Sequence, residues 1–226
     1  MNDLSFEVRE SSRRRTLGIA VERDGSLTLL VPQGTPDETL RHIVQQKRFW
    51  VYQKLASKAL QSSPTVGKPF INGQGFYYLG RSHRLLLSNV HEGPALRLHQ
   101  GRFVLRQDAI PTARTHFINW YKNLLLPRVQ EEVARIAPRL EVEPKGVQIR
   151  ELGHRWGSCS PDGRINIHWR VALLPMKAVT YVVAHELSHL VESRHNERFW
   201  RLVDRLVPDF ETRKQWLAVN GSIYSL

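Results

Sequence analysis

The chain of 226 residues has one cysteine, Cys159, so no disulfide can form within it. It has no run of eighteen or more uncharged apolar residues, which excludes a membrane-spanning helix. The start, Met1-Asn2-Asp3-Leu4-Ser5-Phe6-Glu7, lacks the positive charge and apolar stretch of a secretory signal. These absences lead us to expect a cytoplasmic protein with no membrane partner. Internal repeats, low-complexity segments and a glycine-rich phosphate loop are also missing. So is the cluster of carboxylates that magnesium-dependent phosphoryl chemistry uses. Negative charge is scarce, with 21 Asp and Glu against 33 Lys and Arg, a net charge of +12. Such a surplus attracts anionic partners over long range. It is spread out, however: 16 basic against 9 acidic residues in 1–110, and 17 against 12 in 111–226. Only Arg13-Arg14-Arg15 forms a tight run. Non-specific contact with nucleic acid is therefore one expected use of the charge, and plain solubility is the other.

What is present begins with alternation. Leu17, Ile19 and Val21, then Leu27, Leu29 and Val31, read as two strands joined by an Asp24-Gly25 hairpin turn. Thr35-Pro36-Asp37-Glu38 is a helix start. Leu40, Ile43, Val44, Val51 and Leu55 continue that helix to about residue 60, where Ser62-Ser63-Pro64 ends it. Residues 69–107 read as short strands, with turns at Asn72-Gly73 and His99-Gln100-Gly101. A second long helix is expected from near Pro111, with Phe117, Trp120, Tyr121, Leu124 and Leu125 on one side. Pro127 should kink or break it before Val129, Val133 and Ile136 resume the pattern. Residues 146–151 and 164–169 read as two strands joined through a turn at Ser160-Pro161-Asp162-Gly163. Helices are expected at about 175–192, 196–207 and 209–219.

The decisive segment is Tyr181-Val182-Val183-Ala184-His185-Glu186-Leu187-Ser188-His189-Leu190. Histidines four apart project from one face of a helix, so His185 and His189 can each give a nitrogen to one zinc ion. Glu186 stands beside that stripe, where it can hold a metal-bound water. Chance placement of the chain's 10 histidines and 14 glutamates would produce about 0.03 such motifs. A catalytic zinc takes three protein ligands and keeps one position open. The third candidate is His195, provided that the helix ends after His189 and the chain turns back. Ser193 and Asn196 favour that turn, and Asn196 can cap the next helix. Glu192 and Glu197 are rival third ligands. The remaining histidines are scattered, although His154 and His168 flank the strand pair ahead of the motif.

Arg155-Trp156-Gly157-Ser158-Cys159-Ser160 admits two readings. Its small residues suit an edge strand that pairs with an extended substrate, with Arg155 and Trp156 as substrate-binding residues. Alternatively, Trp156 packs in the core and the small residues fit around it. Cys159 has the same ambiguity between metal binding and simple burial, and burial is the commoner case. Phe199 and Trp200 read as core residues that anchor the helix after the third ligand.

In combination, Arg155 to Ser160, Tyr181 to Leu190, His195 and Phe199-Trp200 resemble the YgjP-like metallopeptidases, a family related to the SprT-like and WLM proteases. The resemblance extends to Arg13-Arg14-Arg15-Thr16, Asp24-Gly25 and Arg213-Lys214-Gln215-Trp216-Leu217, and so covers nearly the whole chain. It implies zinc held by His185, His189 and His195, with Glu186 as catalytic base and a protein or peptide as substrate. His168 departs from the pattern, which has asparagine there. The fold class expected is α+β: a β-rich N-terminal part, residues 1–110, followed by a zincin-like helical part, residues 111–226, with a short antiparallel sheet and the HExxH helix, the two forming one integrated unit. An oxyanion donor is also required, and Arg155, His154 and His168 are its candidates. Two rival functions remain at this point. One is a metal-dependent nucleotide pyrophosphohydrolase, and the other is a DNA-associated protein with a structural zinc.

Overall fold

A computed structural model describes residues 4–21, 26–61, 68–153 and 155–226, and divides the chain into two compact units, Met1–Thr65 and Val66–Leu226. In the first unit, β1 (Phe6–Ser11), β2 (Gly18–Val21) and β3 (Leu27–Pro32) form a sheet in the order β1-β3-β2. β1 runs parallel to β3 and β2 antiparallel. Leu27, Leu29 and Val31 are buried, as their alternation requires. Helix α1 (Asp37–Gln61) follows. The expected Asp24-Gly25 turn, the Ser62-Ser63-Pro64 stop and the side chain of Leu55 lie outside the described residues, as does His154.

The second unit contains β4 (Gly75–Tyr78), β5 (Arg81–Ser88), β6 (Leu96–His99) and β7 (Arg102–Arg106), in the order β4-β5-β7-β6. Then come α2 (Ala113–Ile136), β8 (Gly146–Arg150), β9 (Gly157–Cys159), β10 (Arg164–His168), α3 (Met176–Ser188), α4 (Glu197–Leu206) and α5 (Phe210–Asn220). Among the described residues, no helix is long and apolar enough to cross a membrane. Helix α2 buries Ala113, Phe117, Tyr121, Leu125, Val129 and Val133, each four residues after the last. It runs unbroken through Pro127, where a kink or break was expected. An interior proline costs one backbone hydrogen bond and a local clash. Burial of Leu125 and Val129 on either side, with the rest of the stripe, offsets that cost, because helical stability in proteins comes mostly from packing.

The sheet beneath the motif helix is mixed, where an antiparallel one was expected. The Ser160–Gly163 turn closes a β9–β10 hairpin, with Ser160 N–H donating to the Arg164 carbonyl at 2.9 Å. β8 pairs with the other side of β10 and runs parallel to it, giving the order β8-β10-β9 and leaving β9 at an edge. The β4–β5 turn docks below the start of α3: Leu79 N–H and Gly80 N–H donate to the carbonyls of Ala172 and Leu173. Gly80 has φ +81°, and a Cβ there would come 2.8 Å from the Pro175 ring, so only glycine fits.

His168 is fixed by its partners. Its Nδ1 accepts the Arg170 N–H at 3.0 Å, so the proton sits on Nε2, which donates to Glu151 Oε1 at 2.6 Å. Trp169 Nε1–H donates to Glu151 Oε2 at 2.7 Å. Burial raises the Glu151 carboxyl pKa, but the bonds from Trp169 and His168 outweigh it, and the net shift is downward. A lowered carboxyl pKa stabilises the fold above the ordinary carboxylate range, and this contribution is lost as pH falls through the folded value. Glu151→Ala should cost on the order of 1 kcal/mol, since water can replace the exposed carboxylate, and lower Tm by about 2–4 °C in a thermal melt. An unchanged melt would mean that the clamp contributes nothing.

Candidate metal centre

Val179, Val182, Val183 and Leu187 are buried along α3 and seat it against the core. His185 and Glu186 lie in its last turn, and His189 caps its C-terminus. The chain then turns, with Val191 N–H and Glu192 N–H both donating to the Ser188 carbonyl. Asn196 starts α4 by accepting the Phe199 N–H at 3.0 Å, the cap expected from its sequence position. His195, between turn and cap, is thereby folded back over α3. One nitrogen from each of His185, His189 and His195 lies within 4.8 Å of the other two. His185 Nε2 and His195 Nε2 face each other at 3.0 Å. Among the described residues no other cluster of three or more potential ligand side chains occurs. The rival carboxylates are engaged elsewhere: Glu192 accepts the Arg194 N–H at 3.1 Å, and exposed Glu197 pairs with Arg201 at 3.3 Å.

The donor set suits zinc. A carbonyl can only accept, so the 3.1 Å contact of His189 Nδ1 with the Glu192 carbonyl puts the proton on Nδ1 and leaves Nε2 its lone pair. Tetrahedral zinc with Zn–N bonds of about 2.0–2.1 Å would space its nitrogens about 3.4 Å apart, between the 3.0 Å of the His185–His195 pair and the 4.8 Å that bounds all three. Burial, then His189, His195 and Lys214, push His185 down to about 3, and burial with His189 lowers His195. Both imidazoles are thus neutral and able to coordinate. Buried His185 Nδ1 has no hydrogen-bond partner among the described residues. Phe199, fully buried, touches all three rings, with centroids 4.9 Å from His185, 4.5 Å from His189 and 4.7 Å from His195. Phe199 is the core anchor its spacing suggested, and also the floor of the triad.

Glu186 is 6% exposed. Burial pushes its carboxyl up to about 8, and the charge of Arg155 opposes that shift. The group lies on a cleft of about 1030 Å³ that also takes in Arg155, Trp156, β9, Tyr181, the three histidines and Lys214. Trp156 is half-buried. Its ring packs 5.6 Å from the Arg170 guanidinium and against Gly221, where a Cβ would meet Trp156 Cζ2 at 2.8 Å, yet it also lines the cleft. Half-buried Cys159 lines the cleft without joining the histidine cluster, and burial raises its thiol pKa. His168 is committed to Glu151 and Arg170, so its ring donor is not available to a substrate oxygen.

Two lining residues stand within motifs that the sequence displays but that assign them no role. Tyr181 stands one turn before His185, its ring 6.0 Å away, with its hydroxyl pKa pushed to about 12, chiefly by burial. Lys214 reaches the cleft from α5, its Nζ 4.4 Å over the Trp200 ring and 3.0 Å from Glu211 Oε2. No spacing rule connects a lysine on one helix with histidines on another, so only the fold reveals it.

No curated protein matches the chain. Among solved structures, the metallopeptidase zymogen abylysin of Pyrococcus abyssi is 28% identical, with 38% of this chain and 86% of that chain covered. Its TM-score of 0.35 is too low to bear on the fold. The family model described as YgjP-like, metallopeptidase domain, matches residues 15–220, a span that includes β9, the histidine cluster and Lys214. The chain therefore belongs to the YgjP-like metallopeptidase family.

Proposed function

We propose that the chain is a zinc-dependent peptidase, with His185, His189 and His195 as metal ligands and Glu186 as general base. The observation that carries this reading is the convergence of three imidazoles beside one buried carboxylate on an open cleft. Bound there, zinc would supply Lewis acidity and a water with its pKa lowered to about 7. Glu186 takes the proton of the attacking water and passes it to the leaving amine. With a divalent cation held by the three histidines, Glu186 would feel an opposing positive charge that favours its ionised form at neutral pH.

The edge of β9 suits an extended peptide. Trp156 O accepts from His168 N and Ser160 N donates to Arg164 O, so these residues form the hydrogen-bonded pairs with β10. Gly157 and Cys159, alternating with them, turn their N–H and C=O groups outward, where a substrate strand can pair. Arg155 and Lys214 are the cations available to the scissile carbonyl oxygen and to acidic substrate groups.

The test uses metal-depleted protein and an unfolded protein substrate. Zinc should restore cleavage and magnesium should not. Nucleotide hydrolysis restored by magnesium alone would overturn the proposal in favour of phosphoryl chemistry. Phe199→Leu should weaken zinc binding about tenfold by loosening the shared floor of the triad, at a stability cost on the order of 1 kcal/mol. Titration with a competing chelator measures the first effect, and undiminished affinity would show that the triad holds itself in place.

A further inference from the structure

We propose that Gly157 is a positioning residue, whose missing side chain sets where the Glu186 carboxylate stands relative to a peptide paired with β9. This rests on Glu186 being the base. A Cβ on Gly157 would lie 2.6 Å from Glu186 Oε1, 2.7 Å from Cγ and 2.8 Å from Cδ. Carbon atoms meet comfortably at about 3.5–4.0 Å, so all three contacts are clashes. Rotating the carboxylate cannot relieve them, because Cγ is among the atoms struck. The helix cannot retreat either, since Val183 and Leu187 bury α3 fully on neighbouring positions. Gly157 is an ordinary strand residue, opposite buried Ile167, with no positive φ to explain a glycine. The space itself is the reason.

The same residue faces two ways. Its peptide groups point away from β10, toward the position of a substrate strand, while its Cα face admits the base. One methyl group there would push base and substrate apart. A displacement near 1 Å can cost about 100-fold in rate.

Gly157→Ala should therefore lower kcat by about 100-fold, leave KM within about threefold and retain zinc. In a Glu186→Gln background it should cause no further loss of rate, because it acts through the carboxylate. A merely structural role would reduce the residual activity again. Stability gives a second reading. Gly157→Ala should lower Tm, and Gly157→Ala/Glu186→Ala should melt like Glu186→Ala alone, since alanine removes all three atoms struck. This comparison holds even where Gly157→Ala itself folds poorly. Because melting needs no substrate, it separates a failure of this contact from a failure of the peptidase reading. Wild-type kcat in Gly157→Ala, or a melting loss that persists without the Glu186 side chain, would overturn the proposal.

Discussion

Glu186→Gln should keep its zinc and lose peptide hydrolysis by about 10²- to 10⁴-fold, the usual contribution of a general base. The substitution preserves volume, which matters because Glu186 is buried and fits against Gly157 with no room to spare. An amide oxygen in that position can still accept a hydrogen bond from water. It cannot take a proton at any pH where the protein folds. The histidine cluster is formed by other residues, so metal content should be unchanged. Stability should hold or rise, because burial disfavours the charged carboxylate and a neutral amide removes that cost. The predicted signature is thus a full complement of metal, an equal or higher Tm, and a kcat lower by orders of magnitude. Measuring kcat alongside elemental zinc distinguishes it from metal loss. Near-normal turnover in this variant would falsify the assignment of Glu186 as base and shift attention to Tyr181, the other titratable group beside the triad on α3.

Much of this site was legible from spacing because its chemistry is local. His185 and His189 share a face by helical periodicity, and Asn196 announces the next helix by its capping chemistry. Those two facts made His195 a candidate third ligand, with Glu192 and Glu197 as rivals, and the structure brings His195 to the other two histidines. The strand alternation around Leu27, Leu29 and Val31 was equally local. What could not be read depends on partners distant in sequence. Pro127 is absorbed into α2 by tertiary packing that no window of residues displays. The parallel pairing of β8 with β10 is a choice of register across the sheet, and the turn at Ser160–Gly163 specifies only the β9–β10 hairpin. His168 stands out in sequence as a spare histidine, yet the structure spends both its nitrogens on Arg170 and Glu151. Lys214 and Gly157 reach the centre through packing between elements, where sequence separation carries no information.

Replacing His185 tests the metal site itself and should have the largest effect. His185→Ala leaves two imidazoles, and His195 is exposed on a turn, so zinc should be lost at ordinary concentrations and hydrolysis should fall to background. The consequence for stability is less obvious. Without metal, His185 is a liability: its Nδ1 is buried with no partner among the described residues, and its ring is held neutral by burial. Alanine removes that unpartnered polar atom, which offsets part of the packing lost against Phe199. The metal-free variant should therefore melt close to metal-free wild type. The difference appears when zinc is added. A ligand at 100 times its Kd stabilises the folded state by about 2.7 kcal/mol, which corresponds to about 5–10 °C in a chain of this size. Wild type should gain that shift and lose it again with a chelator, while His185→Ala should show neither change. Zinc retained in His185→Ala, or a wild-type melt indifferent to both zinc and chelator, would remove the triad from the mechanism.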